Sequence, residues 1–447
     1  MAIIKHLSSK SANYRNAVQY LMFEYDKLTN RPLHDGDGHL IMRSNFIIEG
    51  IECDPATFDI ECKDLNNQYH KNQEYNDIKS HHYIISFDPK DTDTAGLTVE
   101  KAQAIGVEYA KKNFPGHQTI VCTHEDGDNH SGNIHVHIVF NSVRKNDVER
   151  QDFMERKCDS RAGYKHHVTK DYLKYLKSDL MQTCHSHGLN QVDLLKKSKN
   201  RRISQKAYWA QTREAAIISS SVIPREASVA NDEESSLPPT AHSSDSQQTK
   251  KNRAYTRKVE INKLKATADA LAYMQEHGFT SKESIEASLK NAHNKAAIAK
   301  QKIDAINTDI TNLNAQIHYT GAYLVNRKTY ATFLDSVDKK VYRKKYKTRI
   351  DSYEEARNWL QKQSKEGTLP SNKFVVSTPG KFPRLDVIKK LRDEQIEKRK
   401  ELRKKYNPLR KQEKELQTII KTVEALLNEP THDQNIQKSK SHHQESL

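Results

Sequence analysis

The segment THEDGDNHSGNIHVHIVFNSV, residues 123–143, leaves this chain few ways to fold. Residues 119–124 and 134–143 are apolar, β-branched runs, and the connection between them is rich in Gly, Asp and Asn. That pattern predicts a β-hairpin with a long polar loop. His135 and His137 are two residues apart, so a strand places both imidazoles on one face and Val136, Ile138 and Phe140 on the other. The partner strand ends at His124, beside the start of the second strand. Three imidazoles, His124, His135 and His137, are therefore expected to converge. Three His donors leave positions open on a divalent cation, which suits a catalytic site rather than a closed structural one. By ligand type they suit Zn²⁺; phosphate oxygens and waters in the open positions admit Mg²⁺ or Mn²⁺. Asp126, two residues beyond His124, is a candidate to orient an imidazole or to take a proton, and Asp128 and His130 share its loop.

Around the hairpin the first 213 residues alternate strand-like and helix-like stretches. Residues 2–7 and 81–88 read as strands, and residues 12–27, 97–114 and 168–187 as helices. The expected class is α+β, a mainly antiparallel sheet flanked by helices. At 100° per residue Tyr14, Val18, Leu21, Met22 and Tyr25 form one apolar stripe of the first helix, and Tyr20 falls off it. A phenol with no packing role is a candidate nucleophile toward phosphorus, given charge neutralisation and a base.

Residues 214–253 are rich in Ser, Pro and Asp and hold too little apolar surface to offset ordering, so a disordered linker is expected there. Residues 254–430 read as helical and coiled-coil-like, with apolar residues at heptad-like intervals on two arms, a small α/β insert near 329–376, and Pro408 expected to kink or split the second arm. Residues 431–447 are expected to be a disordered tail.

The 73 Lys and Arg outnumber the 58 Asp and Glu, a formal charge of +15 that favours a polyanionic partner. Lys165, Lys196, Lys197, Lys199, Arg201 and Arg202 are candidate phosphate contacts, the last five within the run KKSKNRR; Tyr208 and Trp209 beside it are candidates either to stack on bases or to cap the core. The five cysteines form no CxxC pair and are expected to be small core residues in a reducing cytoplasm. No run of about eighteen apolar residues occurs, so no membrane span is expected.

Together His124 with Asp126, the His135-Val136-His137 triplet followed by IVFNS, and the N-terminal QYLMFEYD resemble the relaxases of conjugative and mobilisable elements. The likeness is to the MobA/VirD2-like branch of the HUH endonucleases. With FPGH, VCTH and SGNIHVHIVFNS, the pattern is similar to relaxases of integrative conjugative elements in Gram-positive gut bacteria, over about the first 210 residues. The resemblance implies an HUH-type sheet, a metal held by His124, His135 and His137, and Tyr20 as nucleophile. It implies a role for Ser86, in SHHYIISFDP, in holding DNA near the nick. The implied activity is nicking and rejoining of single-stranded DNA at a transfer origin through a 5′-phosphotyrosine, with Mg²⁺ or Mn²⁺. The 124–135 loop is longer than in many relatives, and Tyr25 stands where His is expected.

Other readings use the same residues. A rolling-circle initiator or HUH transposase shares the metal and the tyrosine, but usually carries the tyrosine downstream of the histidines. A water-using nuclease forms no covalent adduct, and a non-catalytic DNA-binding scaffold needs no metal. The C-terminal helices suit a coupling protein, an accessory DNA-binding protein or self-association.

Overall fold

In a computed structural model the described residues are 2–26, 31–36, 38, 40–43, 46–125, 133–196, 261, 264–374 and 383–427. The expected linker and tail lie outside them. The chain divides into two compact units. One comprises Met1–Lys196 with Ile298–Tyr406, the other Lys197–Ala297 with Asn407–Leu447.

The first unit is built on five strands, β1 (Ile3–Ser9), β2 (Phe46–Ile51), β3 (Ser80–Ser86), β4 (His117–His124) and β5 (His135–Arg144), in the order β1-β3-β5-β4-β2. Every pairing is antiparallel. The expected hairpin is the β4–β5 pair at the middle of the sheet. Helices α1 (Tyr14–Met22), α2 (Phe58–Gln68), α3 (Lys90–Thr94), α4 (Val99–Asn113) and α5 (Lys170–Ser186) cover it. Val136, Ile138 and Phe140 join Ile105, Tyr109, Leu176 and Leu180 in a core on one face. Ile120, Cys122 and Val139 join Tyr14, Val18, Leu21 and Phe58 in a core on the other. Each fully buried apolar side chain of this size contributes roughly 1.5–3 kcal/mol, so both faces hold the central hairpin firmly.

Strand β2 and helix α2 carry no strong sequence signal. FIIEGI is a short run without alternation and becomes an edge strand only by pairing Phe46–Ile51 against β4. The first helix is shorter than its pattern: it ends at Met22, and Tyr25 is not on its stripe but in an extended segment bridged to Pro32. Backbone bonds from residues 22–26 to residues 31–43 compete with the helix and end it.

The helical region expected at 254–430 contributes to both units. Helices α6 (Lys282–Asp335), α7 (Lys339–Lys345), α8 (Lys347–Lys365) and α9 (Leu385–Leu427) account for most of it. Within the first unit α6 and α9 run antiparallel, with Ile388 packed on Leu313 and Ile317 and Arg399 Nη1 3.3 Å from Asn307 Oδ1. They also meet the sheet's helices. Arg392 Nη1 lies 2.7 Å from Asp54 Oδ1, and His318 Nε2 3.3 Å from Asp59 Oδ2. Ala322 and Ala356 pack on Ile60. Within the second unit Ala270, Ile285, Ala292, Leu416 and Ile419 form a small core, and Lys282 pairs with Glu424 and His293 with Glu413.

The expected insert near 329–376 is helical in its described residues, and residues 375 and 376 of its apolar run lie outside them. Its tyrosines stack between helices, Tyr330 on Tyr353 with centroids 4.2 Å apart, rather than pairing strands. Of the kink or split expected at Pro408, the split is corrected: Pro408 lies inside the continuous α9, and the helix forgoes the one hydrogen bond that proline cannot donate.

Candidate metal centre

His124 is the last residue of β4 and His135 the first of β5, and the two are directly opposed in the ladder. His137 lies two residues further on the same face. One ligand atom from each of the three rings lies within 4.8 Å of the other two. The ring centroids are 4.8–5.3 Å apart. His124 and His137 are buried and His135 is half-buried, so the cluster opens at the loop end of the hairpin.

Each imidazole has one nitrogen engaged elsewhere. His124 Nε2 is 2.7 Å from the Leu21 carbonyl, His135 Nδ1 3.3 Å from the Asn133 carbonyl, and His137 Nδ1 2.8 Å from His82 Nε2. One ligand atom of each ring still faces the other two within 4.8 Å, close enough for all three to reach one cation. Such outer contacts fix the tautomer and orient the ligand. Burial lowers the proton affinity of His124 and His137 well below the ordinary imidazole range. Arg43 and His135 add to this at His124, and His124 and His82 at His137. The donor set therefore includes two buried imidazoles held neutral, His124 and His137, beside the half-buried His135, and it fits a divalent ion with open positions.

Tyr20 reaches this site from the last turn of α1. Its ring meets His137 edge to face at 6.0 Å between centroids, and Tyr25 at 5.5 Å. Tyr14, by contrast, is buried, its hydroxyl 3.0 Å from the Lys79 carbonyl and 2.7 Å from Asn66 Nδ2, a packing role as expected. Ser86 stands opposite His135 across β3–β5, and its Oγ accepts from Asn133 Nδ2 at 2.6 Å. The middle segment thus abuts the histidine cluster through Asn133, whose carbonyl also meets His135.

Of the other candidates, the described ones, Lys165 and Lys196, are engaged elsewhere. Lys165 is half-buried and paired with Asp77 at 3.0 Å. Lys196 is exposed, 3.8 Å from Asp193. Asp126, Asp128, His130, Lys197, Lys199, Arg201, Arg202, Tyr208 and Trp209 lie outside the described residues. Two residues that pattern reading passed over are His82 and Arg43. His82 was visible in SHHYIIS, where alternation sends His81 and His82 to opposite faces; Arg43 sits in a segment with no periodic signal.

Residues 40–189 match the family model for the relaxase MobA/VirD2-like nuclease domain, a span that begins after α1 and Tyr20. Two curated relatives, both called Protein rlx from Staphylococcus aureus, are 32% identical over 113 residues and 28% over 141 residues. The alignments take in 25% and 32% of this chain and 28% and 36% of the relatives, so the chain spans about a third of their length. Among solved structures, the MobM relaxase domain bound to 26-nt pMV158 oriT DNA aligns at 14% identity and a TM-score of 0.28, covering 46% of this chain and 98% of that one. A Mn-bound crystal structure of the same domain with 22-nt DNA aligns at 12% identity and 0.32, covering 47% and 98%.

Proposed function

We propose that this chain, whose residues 40–189 match the family model for the MobA/VirD2-like relaxase nuclease domain, nicks and rejoins single-stranded DNA at a transfer origin with Tyr20 as nucleophile. The observation that carries the reading is the meeting of Tyr20 with the His124, His135 and His137 cluster. The three histidines would hold a divalent ion, Mg²⁺ or Mn²⁺ by preference and Zn²⁺ by ligand type. Such an ion supplies charge neutralisation at a phosphodiester.

The chain's own residues do the rest. Packing of Val18, Leu21 and Met22 fixes α1 against the sheet, and the Leu21–His124 contact fixes its last turn against the site. That geometry orients the Tyr20 oxygen, and orientation lowers the barrier. The phenol oxygen forms a bond to phosphorus as the bond to the 3′ oxygen breaks. The phenolic proton passes to a base, and that proton is returned to the departing 3′ oxygen, which leaves as a hydroxyl. The 5′-phosphotyrosine keeps the energy of the phosphodiester, so the reverse attack rejoins the strand without a nucleotide cofactor. Asp126 is the proposed proton acceptor. The partner is single-stranded DNA, with the basic run at 196–202 as a phosphate contact.

The test uses the full chain with oligonucleotides tiling the DNA around its own gene, in Mn²⁺ or EDTA, on denaturing gels. A metal-dependent adduct absent in Tyr20→Phe and present in Tyr25→Phe supports the reading. Loss in Tyr25→Phe alone moves the nucleophile, and cleavage without adduct replaces the tyrosine by water.

A further inference from the structure

The short helix α7 links α6 to α8, and its two faces differ. Tyr342 faces inward, its ring centroid 6.5 Å from that of Phe333 and 4.6 Å from that of Tyr346. Arg343 lies over the Phe333 ring at 5.8 Å and pairs with Glu354 at 2.7 Å and Asp351 at 3.1 Å, which fastens α7 to α8. At 100° per residue Lys340, Val341, Lys344 and Lys345 fall on the other side, and all four are exposed. Val337, just before the helix, is fully exposed. Among the described residues no carboxylate pairs with Lys340 or Lys344, and Lys345 lies over the Tyr346 ring. Residues 336–349 hold seven Lys and Arg against one Asp. Arg349 Nη2, at the start of α8, lies 2.5 Å from Asp64 Oδ1 of α2, so the basic tip is tied to the unit that carries Tyr20 and the histidines.

Lysines clustered on one face repel one another and gain from a polyanion whose counterions they displace. Lysine is depleted at protein–protein interfaces, which argues against a protein partner. Two valines on a seven-residue helix are too little for a lipid surface, where Trp, Phe or Leu enter the headgroup layer. Tyr342 and Tyr346 pack on each other, so the bases of a single strand find no stacking platform here. A duplex needs none, and its major groove, about 12 Å wide, admits a helix. We infer that the outer face of α7 is a second DNA contact, docking through Lys340, Lys344 and Lys345 on the phosphate backbone of duplex DNA beside the nick. The inference rests on the nicking reading for its choice of polyanion and adds to it the double-stranded part of the substrate. Phosphate contacts fix orientation and carry no sequence information, so α7 holds the origin in place and does not select it.

The experiment measures binding of the full chain to a duplex oligonucleotide from beside its own gene, and to one strand of it, by fluorescence anisotropy in EDTA between about 50 and 200 mM salt. The parent is compared with Lys340→Gln/Lys344→Gln/Lys345→Gln, with the same three positions changed to Arg, and with Lys295→Gln/Lys300→Gln/Lys302→Gln, three exposed lysines of α6. Expected is a duplex salt slope shallower by about 2 to 3 in the α7 Gln variant alone, kept in the Arg variant, with single-strand binding within about twofold of the parent. A duplex slope equal to the parent's overturns the assignment, as does a parent that binds no duplex. An equal loss in the α6 variant makes net charge the cause, and an Arg variant as weak as the Gln variant makes it a change of fold. An equal loss on the single strand replaces the duplex by that strand. Loss of binding to phosphatidylserine vesicles with duplex binding unchanged makes the face a membrane contact. None of these readings needs metal or an adduct. If no tile yields an adduct, the nicking reading fails on its own, and the duplex slope still decides this one.

Discussion

The ring of His124 is tied to the helix of the proposed nucleophile: its Nε2 lies 2.7 Å from the carbonyl of Leu21, the residue after Tyr20. A metal ligand and a nucleophile that share a turn of backbone move together. His124→Ala therefore removes a proposed ligand and also leaves the Leu21 carbonyl without this donor. The expected outcome is loss of Mn²⁺ binding together with faster amide exchange in residues 18–22. Unchanged exchange there would mean that the contact does not hold α1.

His82 orients His137 from the neighbouring strand, Nε2 to Nδ1 at 2.8 Å, and burial, then Lys5 and His135, depress its proton affinity to about 4. It is neutral at pH 7 and can make one hydrogen bond to His137 while remaining outside the ligand set. Removing such an outer partner costs about 10–100-fold in metal affinity. His82→Phe preserves ring volume and should show that loss by calorimetry at pH 7 with little change in melting temperature. Equal Mn²⁺ affinity in the two proteins would make His82 a packing residue.

How much of this was legible in sequence follows from where the signals are periodic. The β4–β5 hairpin and its three histidines could be placed because a period of two and a polar loop fix the register. Strand β2 was not, because an edge strand is defined by its partner and FIIEGI has no alternation of its own. Tyr25 was assigned to a helix face because its spacing fits 3.6 residues per turn, yet backbone bonds to residues 31–43 end the helix first. The union of residues 298–406 with the sheet depends on separated partners such as Arg392 and Asp54, which no local window relates.

Gly106 lets α4 lie close against the histidine strand: a Cβ there would sit 2.5 Å from Val136 Cγ1, between His135 and His137 in sequence. Gly106→Ala gains about 1 kcal/mol of helix propensity. It also forces an overpacked contact that costs about 1–3 kcal/mol, and the clash is with a fully buried β-branched side chain, so the cost should win. A lower urea midpoint and weaker Mn²⁺ binding are expected. A higher midpoint would show that α4 can shift freely.

On the opposite face of the sheet His6, His81, His117 and His166 form an aromatic cluster with Tyr83, Phe114 and Phe140. Burial, with Arg144 adding at His117, holds His117 and His166 well below the ordinary range, and burial with His6 brings His81 to about 3. The folded chain therefore binds fewer protons than the unfolded one in mild acid. Stability is fully present above pH ~6.5, the unfolded value, and falls as pH drops toward the folded values. The melting temperature should be flat from pH 8 to 7 and decline below ~6.5, less steeply in His117→Phe. A His117→Phe protein that declines as steeply as the parent would remove His117 from the cause.

Arg392 and Asp54 join α9 to the turn before α2, with side chains only 10% and 12% exposed. Burial works against the Asp54 carboxylate, but hydrogen bonding and charge from Arg392, aided by Lys389, hold its proton affinity below the usual range. A shielded pair is costly to break from one side, because the survivor stays buried and uncompensated, at about 3–5 kcal/mol. Arg384 and Asp386, on the same chain segment, are 80% and 65% exposed at 2.8 Å, where screening and side-chain entropy leave little net gain. Arg392→Ala should therefore lower the urea midpoint sharply and Arg384→Ala leave it unmoved. Trypsin should also cut residues 298–406 sooner in Arg392→Ala than in the parent. If the two variants unfold alike, the long helices do not draw their hold on the sheet from this pair.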